Sequence, residues 1–428
     1  MRRGIKTLDA DTLRRVLKAF LRERTPLAAM QVLYSRLNRF FQIPLPGFNP
    51  FVVGGPEAVR KVLVTERQKL LWRAPGDPVT RLLRRGVLVV DGGEHDHYRK
   101  VMEPLLHPGK LQAYVPVMLR QVDRVTAGWS EGQVVDMLVE ARRIALLIIM
   151  ETLFSVDFWE DMPRLWKPVL ATIRFISPGA WILFPELPRP GFRRQLQTLD
   201  RYLYGIIGAR RTAAPKDDLL GRLIAAELDD DRIRDQMLTM LIAGHDTSTA
   251  LLAWVFYLLG QNTEIYNRLD ADLEQALQGR LPDAAGGWQP PLLDAVIKEA
   301  LRLYPPIHLG SRRATENLDF GGNVVPAGER LIYSIYLTHR DPAVWKEPDS
   351  FDPDRFSRGS KPPPFSYVPF GGGSRACIGS AFGQAEARLV IARLLQTFRF
   401  ELTSRKVHTH MGATLEPGPG VFMRVTRK

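Results

Sequence analysis

Phe370-Gly371-Gly372-Gly373-Ser374-Arg375-Ala376-Cys377-Ile378-Gly379 carries the only cysteine of the chain. Three consecutive glycines let a backbone turn tightly and come close to a flat partner. Beyond the cysteine, Ile378, Phe382, Ala385, Leu389 and Ala392 recur at helical spacing, so Cys377 stands where an amphipathic helix begins. A thiolate there is stabilised by unpaired backbone amides and by the positive end of the helix dipole. Such a sulfur serves as an anionic ligand or a nucleophile. A nucleophile needs a base beside it, and no Cys/His signature surrounds Cys377. Metal ligation by one thiolate is therefore the stronger reading, set against the bland one of a small buried hydrophobe.

Upstream, helical periodicity dominates from about residue 110 to 303, with segments near 114–127, 138–155, 193–211, 231–266 and 292–303. After Pro305-Pro306, short β-like runs such as Leu331–Ile335 alternate with turns, and 341–376 reads as irregular. Phe51–Val53 reads as a strand passing through Gly54-Gly55-Pro56 into a helix. No repeat or linker interrupts the pattern. The expectation is one large, mainly α domain with small β-sheets, to which the basic amphipathic segment 1–44 also belongs. From Gln236 to Thr263 the only charged residue is Asp246. The polar cluster Gly244-His245-Asp246-Thr247-Ser248-Thr249 at its centre argues against a membrane span and for a buried central helix. Hydroxyls there can back-bond to carbonyls, which predicts a kink or groove able to admit a small ligand and water.

The chain has 428 residues, 45% of them hydrophobic and 25% charged, which excludes disorder and fibre. One cysteine precludes an internal disulfide and a multi-thiolate zinc site, and fits a reducing, cytoplasmic setting. The opening Met1-Arg2-Arg3 leads into amphipathic sequence rather than an apolar signal region, so no secretion signal is expected. A net charge of +13 favours nucleic acid, anionic membrane or an acidic protein. Zinc-finger and RNP patterns are missing, which sets nucleic acid aside. Between Asp9 and Leu21, residues Leu13, Val16, Leu17, Phe20 and Leu21 share a helical face, with Arg14, Arg15, Lys18 and Arg22 elsewhere. This helix either packs on its own domain, the reading its short length favours, or lies peripherally on an anionic membrane.

The ten residues Phe370–Gly379 resemble the haem-binding signature of the cytochrome P450 monooxygenases, Phe-x-x-Gly-x-Arg-x-Cys-x-Gly, at every fixed position. Two further stretches are similar to that family in the right order. Glu299 and Arg302, an ordinary surface ion pair by spacing alone, are followed by Pro305-Pro306 and by Phe351-Asp352-Pro353-Asp354-Arg355-Phe356. Ala243–Ser248 looks like the family's oxygen-groove pattern. The resemblance implies the cytochrome P450 fold, a single catalytic domain over 45–428, and haem b held between the central helix and the helix after the cysteine loop. It makes Cys377 the proximal iron ligand, whose electron donation favours O–O cleavage. Phe370 would pack beside the sulfur, and Glu299, Arg302 and Arg355 would form a buried brace. Gly244 would lie against the cofactor, Thr247 would border the oxygen site, and Asp246 would supply protons. Arg375, His95, Arg99 and Arg312 would meet the propionates, with Arg313 a rival to Arg312.

By the same resemblance the substrate pocket is apolar and includes Leu238, Met240, Ala243, Ile307, Leu309 and Val421, beneath a lip at 178–185. The implied reaction inserts one atom of O2 into a hydrophobic, fatty-acid-like or terpenoid-like molecule. Electrons come from a separate ferredoxin or flavodoxin, and opposite charge would steer an acidic donor to the basic surface. Two alternatives stay open: an isomerase or dehydratase of the same fold that needs no O2, and a haem-thiolate sensor or carrier. The joint presence of Asp246 and Thr247 speaks against the first.

Overall fold

The near-continuous apolar run between Ile233 and Leu259 becomes a helix, Asp230–Gln261, that is buried along most of its length. The computed structural model describes residues 9–43, 48–73, 77–178, 189–283, 288–357, 361–404 and 406–428. Asp229 caps this central helix, its carboxylate accepting from the Arg232 amide at 2.7 Å, and Asp230 and Asp231 in the first turn suit the dipole. The chain does not continue to 266 as one helix. Asn262 turns its amide back to the Leu258 carbonyl (2.7 Å), and a separate helix, Thr263–Leu277, follows. The polar cluster leaves the central helix unbroken, because Thr247 and Thr249 donate to the carbonyls four residues back, at 2.7 and 2.8 Å, without displacing the ladder.

Around this axis pack the helices Leu111–Thr126, Met137–Phe154, Met162–Ile176, Phe192–Arg211, Pro291–Leu303 and Ser380–Thr397, which share one large apolar core. The expected helices stand within a few residues of their positions. Met162–Ile176 is not among the expected helices; it carries Pro163 in its opening turn and Pro168 within. Gly244 lets the central helix approach Met137–Phe154 closely, since a Cβ there would lie 2.6 Å from Ile149 Cδ1.

A five-stranded sheet runs in the order Phe40–Gln42, Phe51–Val53, Arg330–Ser334, Leu309–Ala314, Leu70–Leu71. Phe51–Val53 pairs parallel with Arg330–Ser334, and Val52 lies opposite Ile332. The segment 1–44 thus contributes an edge strand to the main sheet. A second sheet joins Val134–Asp136, Phe422–Arg427 and Phe398–Leu402, and the hairpin His408–Met411/Leu415–Gly418 reaches the central helix through the Trp254 indole, which donates to the Leu415 carbonyl at 2.7 Å. The N-terminal helix, Ala10–Glu23, corrects its expectation: it rests on Pro26–Arg36, yet Leu13, Leu17, Phe20 and Leu21 are not packed under the domain. Among the described residues no helix is long and apolar enough to cross a membrane.

Candidate active site

Cys377 follows a short 3-10 turn, Gly373–Arg375, and precedes the helix Ser380–Thr397. Its amide donates to the Phe370 carbonyl at 2.8 Å, closing the loop, while Phe370 packs against the helical core. Gly371 and Gly373 have φ of 69° and 66°, where glycine alone is unstrained. At Gly373 a Cβ would also meet the Leu63 carbonyl oxygen at 2.5 Å. Cys377 has accessible surface, yet burial pushes its thiol above the ordinary value, against the opposing Gly379 amide and Arg99. The sulfur therefore borders a space enclosed by protein. The helix-start effect expected to favour the thiolate is outweighed by burial, and a bound cation is what would restore the anion.

Arg99, on the helix Gly92–Leu106, donates to the Ala376 carbonyl at 2.7 Å and so holds the loop from below. His95, one turn earlier, is buried with Nδ1 2.7 Å from Asp96, and burial lowers its pKa. Arg312 and Arg375 converge on Trp72, with guanidinium carbons 3.6 and 4.8 Å from the ring centre. Arg375 has Asp91 and the Val90 carbonyl as partners, but its Nε is buried without one. Arg312 is buried too, and bonds only the Ser311 carbonyl and the Tyr333 hydroxyl, with no carboxylate among the described residues. Burial depresses both guanidinium pKa values. Both arginines line one hollow of about 280 Å³, where Asp91 answers Arg375 and the buried Arg312 is left to call for an anionic group. Arg313 points away, donating to the Gly328 carbonyl at 2.8 Å from an exposed position.

The central helix from Ile233 to Phe256 is buried except at Ala243, Gly244 and Thr247. These three form a strip that keeps open surface. Asp246 turns the other way: Thr414 donates to its Oδ2 at 2.8 Å, Arg142 lies 3.7 Å from Oδ1, and Arg142 also pairs with Glu416. Burial, then the negative charge of Glu416, raise Asp246 to about 7, while Arg142 opposes. His245 is wholly buried, neither ring nitrogen is hydrogen-bonded, and burial lowers its pKa to about 3. The hydroxyl of Ser248 bonds Glu386 on the cysteine-side helix, and burial raises that acid to about 8.

Glu299 and Arg302 are buried, and Arg355 is half-buried. Glu299 accepts from Arg302 Nε and Nη2 at 2.7 and 2.8 Å, from Arg355 Nε at 2.9 Å and from the Asp352 amide at 3.0 Å. Arg302 reaches the His339 and Pro348 carbonyls at 2.9 and 2.6 Å, and His339 Nε2 accepts from the Val368 amide at 2.8 Å, just before the cysteine loop. Of the pocket candidates, Ala243, Ile307 and Leu309 keep open surface and Met240 shares the face of Ala243. Leu238 and Val421 have none. Leu238 stands five residues before Ala243, roughly 140° round the helix. Val421 is fixed beneath Met137–Phe154 by its amide to Asp136 at 3.0 Å and by the Met137 amide to its carbonyl at 2.8 Å. Gly244, expected beside the cofactor, has its side-chain direction taken by Ile149. Pro178 is described, but 179–185 of the lip lie outside the described residues.

Sequence reasoning missed Trp72, Arg142, Thr414, Glu416, His339 and Glu386. Only Glu386 had a signal: a charge on the apolar stripe between Phe382 and Leu389.

A lone cysteine in a glycine loop, with two arginines stacked on Trp72 close by, is a donor set of the haem-binding kind, and the chain belongs to the cytochrome P450 family, which it matches over residues 14–422. It is accordingly a haem-containing oxidoreductase of the monooxygenase class. Cyclooctatin synthase of Streptomyces melanosporofaciens is 31% identical over 427 residues, covering 92% of each chain. Cyclooctat-9-en-7-ol 5-monooxygenase of the same organism is 31% identical, with 80% of this chain and 78% of that one covered. Among solved structures, retinoic acid bound cyanobacterial CYP120A1 superposes with a TM-score of 0.85 at 27% identity, over 98% of this chain and 96% of that one. The donor set fits haem: an enclosed sulfur for the iron, and for the propionates the uncompensated Arg312 with Arg375 beside it.

Proposed function

We propose that this chain inserts one oxygen atom from O2 into a terpenoid-like hydrophobic molecule, with Cys377 as the iron ligand. The observation that carries the reading is the open strip Ala243-Gly244-Thr247 on an otherwise buried helix, with an acid of raised pKa next to it in sequence that would swing from the buried face to reach it. Bound haem supplies the centre at which O2 is activated. Arg312 and Arg375 would hold the propionates, with His95 and Arg99 on the helix Gly92–Leu106 adding to that charge. Met240, Ala243, Ile307 and Leu309 offer the substrate an apolar wall.

Asp246 holds a proton near neutral pH and hands it toward Thr247, whose hydroxyl turns from the Ala243 carbonyl to pass it into the strip. Glu416, whose side chain keeps 17% of its surface, and Arg142 link Asp246 to water, so Asp246 can be reprotonated from outside. Electrons arrive from a separate acidic ferredoxin or flavodoxin. It docks at the hollow of about 820 Å³ between the helix bearing Arg99 and the cysteine loop, where Arg99, Lys100 and Lys110 outnumber Asp96 and Glu103.

The terpenoid assignment rests on what the named relatives act on. Incubation under ¹⁸O2 with ferredoxin, its reductase and a panel of cyclic terpenoids and fatty acids tests it. One ¹⁸O in a terpenoid product is expected. Product formed without O2 would establish an isomerase or dehydratase instead, and haem-loaded protein without turnover on the panel would favour the sensor reading.

A further inference from the structure

The helix Ala10–Glu23 divides into three arcs at 100° per residue. Thr12, Val16 and Ala19 turn toward the body, Thr12 buried and the others half-buried. Leu13, Leu17, Phe20 and Leu21 form a second, contiguous arc roughly 100° wide, and they are 52, 58, 43 and 64% exposed. Arg14, Lys18, Arg22 and Arg15 fill the third, directly beside the leucines.

The exposed arc belongs to a helix that is firmly held. Asp9 caps it at the Thr12 amide (2.7 Å), the Arg24 amide closes it on the Phe20 carbonyl (2.8 Å), and Asp11 bridges Arg15 and, on the next helix, Arg36, at 2.9 and 3.3 Å. Both acids of the helix are consumed, Asp11 in those bridges and Glu23 by Arg22 at 2.7 Å. Arg14 and Lys18 have no acidic partner among the described residues. Unpaired cations along the edge of a bare apolar strip ask for a partner that is apolar in depth and anionic at its surface. A second copy of this face would instead bring Arg14 and Lys18 against their own kind.

We propose that Ala10–Glu23 is a membrane-surface contact, seating Leu13, Leu17, Phe20 and Leu21 in the interface of an anionic bilayer with Arg14 and Lys18 at its phosphates. The helix lies in the plane of the membrane; it does not span it.

The test is co-sedimentation of the full-length, haem-loaded protein with vesicles of phosphatidylcholine alone or with one-third phosphatidylglycerol. The wild type is expected to bind the anionic vesicles and to prefer them over neutral ones. Leu17→Asp with Phe20→Asp should lower the partition coefficient by at least about tenfold. Arg14→Gln with Lys18→Gln should lower it by roughly fivefold per cation in low salt, and by less in high salt. The milder pair Leu17→Ala and Phe20→Ala, checked by an unchanged carbon-monoxide spectrum, separates loss of contact from loss of fold. Absence of binding to anionic vesicles overturns the proposal. So does binding that neither set of variants weakens, and so does a wild type that dimerises through this face without sedimenting.

Discussion

Replacing Glu386 with glutamine removes a titrating group from the interior without changing its shape. The side chain is buried between the cysteine-side helix and the central helix, meets the Ser248 hydroxyl through Oε2, and has no partner at Oε1. Burial raises it from 4.5 to about 8. Between those values the folded chain keeps a proton that the unfolded chain has released. Stability is therefore fully present below the unfolded pKa and falls as pH rises toward the folded one, by ~1.4 kcal/mol per pH unit. Glutamine carries no such slope. Its buried amide instead costs about 1–3 kcal/mol at every pH, because the Ser248 hydroxyl can accept from only one of its two N–H groups and no other side-chain partner stands there among the described residues. Urea unfolding of wild type and Glu386→Gln at matched haem content should show the variant weaker at pH 5.5. It should gain about 3 kcal/mol relative to wild type by pH 7.5. Asp246 titrates in the same range but is common to both proteins and cancels. Parallel pH curves would refute the assignment of a buried, protonated carboxyl.

Cys377→Ser should abolish the strongly red-shifted Soret band of the reduced, carbon-monoxide-bound protein; a retained band would remove Cys377 as ligand. Asp246→Asn and Thr247→Ala should each cut product formation on the order of 100-fold while NADPH is still consumed, the electrons appearing as hydrogen peroxide; unchanged coupling would refute the proton path. Glu299→Gln leaves Arg302, which has no exposed surface, with a neutral partner, and should cost about 3–5 kcal/mol in urea unfolding together with lowered haem content. Gly373→Ala meets both the positive φ and the Leu63 carbonyl and should cost about 2 kcal/mol or more, read as a lowered unfolding midpoint, with haem retention falling alongside.

Where one face of an element decided its fate, the sequence was readable. The period of Leu293, Val296, Ile297 and Ala300 marked the helix Pro291–Leu303, and the uncharged run around Asp246 marked the central one. The cysteine loop announced itself through its glycines. What stayed hidden are contacts between residues remote in the chain. Nothing near Glu299 says that its carboxylate will be wrapped by Arg355 and the Asp352 amide, since spacing alone describes a surface pair. Nor does Trp72, in a two-residue strand's wake, advertise that two arginines will stack on it. Asp246 was recognised as an acid, but its pairing with Thr414, Arg142 and Glu416 depends on a hairpin and a helix that only the fold brings together.

The Trp72 stack also bears on how the protein is made. Its indole and the two guanidiniums come from three segments far apart in the chain, and contacts of such long range form late, after the local helices have closed. The cradle proposed for the propionates would accordingly close after the helices, and haem capture would follow their formation rather than nucleate it. In a chain without haem that cradle would be held by the Trp72 stack, the Asp91 pair and a few hydrogen bonds of the two arginines, and by mass action the supply of haem would set how long such chains survive proteolysis.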